Sequence, residues 1–79
     1  MDWFDGDRYD TLLDQAEAEL SSGRPEAAEH LATQAIELQA ERHEAWTLRS
    51  SVRADLADFE HAREDVNKAI SLQAGGEAF

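Results

Sequence analysis

Three histidines, a knot of aspartates around a glycine, and two arginines four residues apart are where chemistry would be sought first in this chain. His30, His43 and His61 lack the i, i+4 spacing with a third ligand that a tetrahedral zinc site needs, so they read as solvated side chains. The opening DWFDGD groups Asp2, Asp5 and Asp7 around Gly6. Their order does not follow the calcium loop D-x-[DN]-x-[DN]-G, and no Glu stands at the closing position. That stretch reads as an acidic tail running into a helix cap. There is no glycine-rich phosphate loop, cysteine nucleophile or serine elbow in the sequence, so no catalytic residue, metal or cofactor is expected. Arg49 and Arg53 share a helical face and form the one concentrated positive patch. Either they make an anion contact with a partner's carboxylate or phosphate, or they pair inside the chain, for instance Arg53 with Glu19.

Composition narrows the class further. The 79 residues are 42% hydrophobic and 32% charged, a globular balance in a chain only just long enough for a core. No apolar run approaches the length of a membrane span, and the acidic start is unlike a signal peptide. With no cysteine, a reducing, cytoplasmic setting is expected. Eighteen acidic against seven basic residues leave a net charge of −11. That charge repels phosphate backbones and speaks against nucleic acid, while it suits basic partners.

The elements that would position any site are helices. Tyr9, Leu12, Leu13, Ala16 and Leu20 form an apolar stripe over a first helix from about Asp7, its expected cap, to Ser22, with Gly23 ending it. Pro25 opens a second, whose buried face is Ala28, Leu31, Ala32, Ala35, Ile36 and Leu38. A third spans about His43 to Leu56, with Ala45, Trp46, Leu48, Val52 and Leu56 apolar. Asp58 caps a fourth, lined by Phe59, Ala62, Val66, Ala69, Ile70 and Leu72 and stopped by Gly75 and Gly76. Short connections make successive helices antiparallel neighbours, so the fold class is all-α.

The four helices are two copies of one unit. AIELQA from Ala35 to Ala40 returns as AISLQA from Ala69 to Ala74, an offset of 34 residues that also lays Leu12 over Trp46, Glu26 over Glu60 and Ala28 over Ala62. Small residues there let helices approach closely while Ile36 and Ile70 fill the space beside them. On these residues the chain resembles two tandem tetratricopeptide repeats. The implied organisation is an acidic N-terminal tail over 1–6, repeats over 7–40 and 41–74, and a C-terminal tail over 75–79. The family pattern W-x2-L-G-x2-Y falls on Gln15, Ala16 and Glu19 in the first half and Arg49, Ser50 and Arg53 in the second. Better apolar matches need opposite one-residue shifts, starting at Leu13 and at Ala45. The family's turn glycine is Gly23 in one half and Ala57 in the other, so the second turn is expected to differ.

The resemblance implies a non-catalytic protein–protein interaction module, a scaffold or adaptor that binds a peptide or helix of another protein in a helix-lined groove. Carried onto this chain, the groove falls on Asp10, Leu13, Glu17, Leu20 and Ser21, and on Glu44, Thr47, Ser51, Ala54 and Asp55. None is Lys or Asn, so the family's carboxylate clamp is not expected, and a basic or amphipathic partner is. The alternative is a small helical self-association domain, an assembly element or homodimer. Two repeats leave a face of the fourth helix, drawn from Phe59, Val66, Ile70 and Leu72, for a second copy to cover, unless a partner covers it or Trp3 and Phe4 fold back over exposed apolar surface.

Overall fold

The structure is a computed structural model that describes the backbone of residues 2–77 and the side chains of residues 8–73. Four helices follow one another: α1 (Asp2–Ser21), α2 (Pro25–Leu38), α3 (His43–Asp55) and α4 (Phe59–Glu77). Each packs on the next, and α1 also touches α3, so two helix–turn–helix hairpins stand in tandem as the all-α reading expects. They spread over 38 × 30 Å but only 16 Å in depth. Such a slab buries little, and its core is correspondingly rich in alanine. Tyr9, Ala35, Ile36 and Ala45 form one buried cluster, with Leu12, Leu13 and Trp46 against it. Ala16, Ala28 and Val52 form the other, with Leu20, Leu31, Leu48 and Leu56 around them. Alanines bring backbones together, and the half-buried leucines close the edges.

The two hairpin turns are the same structure. Gly23 has φ 82° and Ala57 has φ 63°. At the first, Gly23 N–H donates to Leu20 O at 3.1 Å and Arg24 N–H to Glu19 O at 2.9 Å; at the second, Ala57 donates to Ala54 O at 3.0 Å and Asp58 to Arg53 O at 2.8 Å. These are the paired bonds that close a helix through one left-handed residue. The expectation that Ala57 would change the turn is therefore corrected. The chain keeps the geometry and accepts a methyl group where glycine would be unstrained.

Three further details depart from the sequence reading. Asp7 is not a cap, because α1 begins at Asp2. Extending the helix through Gly6 costs about 1 kcal/mol of propensity, and acidic residues near the N-terminus suit the helix dipole. Gly75 and Gly76 do not stop α4, which runs to Glu77. The reversal at Gly23 is fastened by α2 packing back on α1, and no helix among the described residues follows α4 to do the same. Finally, Ala16 and Ser50, 34 residues apart, are both buried, so the two halves superpose in register without a shift. The side chains of Asp2, Trp3, Phe4, Asp5 and Asp7, on which the tail and fold-back readings rest, lie outside the described residues.

Candidate functional site

Helix α3 is placed by α1 in an unusual way. The first N–H groups of a helix have no partner within it, and Arg42, at the cap of α3, offers no side-chain bond. Instead the hydroxyl of fully buried Tyr9 accepts the N–H of Ala45 at 3.0 Å and reaches Glu44 Oε1 at 3.4 Å. The Arg42 guanidinium lies 4.3 Å above the Tyr9 ring. Burial raises the tyrosine pKa above its ordinary value, partly offset by the bond from Ala45. Trp46 locks the other end of the same turn by donating its Nε1–H to Ala40 O at 2.8 Å.

Most of the residues expected to line a groove are exposed on these two helices. Asp10, Glu17 and Ser21 of α1 and Glu44, Thr47, Ser51, Ala54 and Asp55 of α3 are exposed. An open pocket of about 280 Å³ brings Glu17 together with Glu44, Thr47 and Ser51, and adds His43 and Leu48. The remaining candidates do not line it. Leu13 and Leu20 are half-buried against the two core clusters, and Asp10 lies 3.9 Å from Arg42. Thr47 directs its hydroxyl back to His43 O at 3.1 Å. What faces outward is a pair of carboxylates beside the half-buried Leu48, a combination suited to a cation on an aliphatic stem. Nothing in the sequence marks His43 as a wall, since a histidine without metal-ligand spacing reads as a solvated side chain, and Leu48 reads as part of the apolar stripe.

Arg49 and Arg53 point into the fold. Arg49 donates to both carboxylate oxygens of Asp65, Nε to Oδ2 at 2.9 Å and Nη2 to Oδ1 at 3.0 Å, and to Thr33 Oγ1 at 3.2 Å. Arg53 donates to Glu29 Oε2 and to Asp65 Oδ2, each at 2.9 Å. Burial works against the Arg53 charge, but the Glu29 bond and the two carboxylate charges outweigh it and raise its pKa. These guanidinium groups are thus engaged within the chain, with Glu29 and Asp65 as partners rather than Glu19, which accepts a hydrogen bond from Arg24. Asp65, 2% exposed, is the residue that sequence reasoning missed. Its signal was a lone acid between Ala62 and Ala69 on the inner face of α4.

The fourth helix leaves an apolar line in solvent. Phe59 is 68% exposed, Ile70 55% and Val66 41%, while Leu72 is half-buried. A second cavity, of about 470 Å³, lies at the far edge of the slab between α1 and α2, bordered by Arg8, Thr11, Leu12, Gln34, Glu37 and Leu38. No helix is long and apolar enough to cross a membrane among the described residues. Comparison of the chain with family models, with curated proteins and with solved structures finds no match.

Proposed function

We propose that the chain is a tetratricopeptide-type interaction module, non-catalytic and cytoplasmic, that serves as an adaptor for another protein. It takes a basic or amphipathic segment across the exposed faces of α1 and α3. The observation that carries this reading is the meeting of Glu17 and Glu44 from two different helices beside Leu48, on a chain of net charge −11. The tetratricopeptide assignment draws further support from the register of the two halves. Ala16 and Ser50 stand in the family's glycine slot, both buried, while Arg49 and Arg53 replace the family's bulky pair with an ion-paired network.

A titration with lysine-rich amphipathic peptides, followed by amide NMR shifts, tests the groove. Shifts should gather on Glu17, Thr47 and Ser51, fall away as salt is raised, and weaken about tenfold in E17K. Equal binding of an acidic control peptide, or shifts mapping to other faces, would remove the groove reading. A second reading, self-association, is favoured by the exposed line of Phe59, Val66 and Ile70 on α4.

A further inference from the structure

We propose that the molecule assembles head to tail, with α1 of one copy docking on α4 of another as α3 docks on α2 within the chain. This rests on the self-association reading and specifies which surfaces meet. The argument comes from the α2–α3 junction, shifted by one repeat. That junction has three levels in line: Ile36 in one buried cluster with Ala45, against which Trp46 packs, Thr33 with Arg49, and Glu29 with Arg53. Thirty-four residues on from α2, the same positions of α4 are Ile70, Asn67 and Arg63. All three are exposed. Thirty-four residues back from α3, the positions of α1 are Thr11 with Leu12, Gln15 and Glu19. Thr11 and Gln15 are exposed, and Leu12 and Glu19 half-buried.

Each level finds a compatible counterpart across the two surfaces. Ile70 meets the edge formed by Thr11 and Leu12, which borders the open 470 Å³ cavity. Asn67 faces Gln15, amide to amide. Arg63 faces Glu19, the same ion pair as Glu29 with Arg53 but with its sign reversed. The reversal matters, because a junction of unlike signs needs the α1 edge and the α4 face together. Glu19 is held near that edge by Arg24, an exposed residue that donates to it. Because the two surfaces differ, the contact is heterologous and leaves the assembly with one α1 edge and one α4 face still open at its two ends.

Sedimentation equilibrium at physiological salt, over a wide concentration range, tests the inference on the whole chain. The mass should climb past twice the 8.8 kDa of one copy. R63E and E19R should each weaken association about tenfold or more, since each sets like charges against one another. A mixture of the two variants should recover it, because Glu19 of one then meets Arg63 of the other and the swapped residues meet likewise. I70D, at an exposed position, should abolish assembly with helical circular dichroism unchanged. A monomer at every concentration would overturn both this inference and the self-association reading. A closed dimer insensitive to E19R would keep self-association and overturn the head-to-tail arrangement, leaving α4 paired with its own copy.

Discussion

Tyr9 is the smallest unit of this fold with a measurable signature. Its hydroxyl satisfies the N–H of Ala45, so Y9F leaves that buried donor without a partner and should cost about 1–2 kcal/mol by urea unfolding. As the single tyrosine in the chain, it can be titrated alone by ultraviolet absorbance. Its pKa is raised in the fold, so the folded state holds its proton where the unfolded chain has released it. The resulting stability is whole below the unfolded value of about 10 and is lost as pH rises through the folded value. A phenol midpoint above 10, with unfolding on its alkaline side, is expected; a midpoint at the free value would mean that the ring is not enclosed. Asp65 is the second test. D65A leaves the Arg49 guanidinium, largely out of water, without a carboxylate and Arg53 with Glu29 alone, and a loss of about 3 kcal/mol is expected. Neither residue stood out in the sequence. Tyr9 read as one more member of an apolar stripe, and Asp65 as one acid among eighteen. The pairing of Arg49 and Arg53 was legible as one of two alternatives, yet its partners depend on which helix faces which, and a spacing of four residues carries no information about that.

At the scale of elements, the helices themselves were written plainly: glycine, proline and apolar stripe agree where α2 begins, and the stripe alone marks α3. Ends were not, and the reason is visible in the contrast between Gly23 and the pair Gly75 and Gly76. A glycine permits a left-handed residue but does not impose one; the reversal occurs where a following helix packs back. Ala57 shows the converse, because packing holds its φ at 63° without the residue that would make it easy. A57G should accordingly stabilise the chain by about 0.5–1 kcal/mol, the strain relieved less the added freedom of the unfolded chain. G23A should lose a similar amount, although a methyl group there would meet nothing within 4 Å, so the loss would be backbone strain alone. Thermal midpoints of the two variants moving in opposite directions would establish that the turns are equivalent. Midpoints moving together would show that the second turn is built differently.

For the molecule as a whole, two populations of charge respond differently to salt. Arg49, Arg53, Glu29 and Asp65 tie α2, α3 and α4 together with side chains at most a third exposed, where mobile ions screen weakly. Among the described residues the other acids lie mainly on the surface, and a net charge of −11 on 79 residues makes their mutual repulsion the larger exposed effect. Raising salt from about 0.01 M to about 1 M shortens the screening length from roughly 30 Å to roughly 3 Å. That relieves the repulsion while leaving the inner network largely intact. The thermal midpoint should therefore rise with sodium chloride, by about 4–8 °C for each kcal/mol of repulsion removed. D65A, which lacks the centre of the inner network, should start lower and climb by the same increment, because the surface acids are common to both. A midpoint that falls with salt in the wild-type chain would mean that screened attraction outweighs surface repulsion. A rise that disappears in D65A would place the salt-sensitive repulsion at the α2–α4 network rather than on the surface.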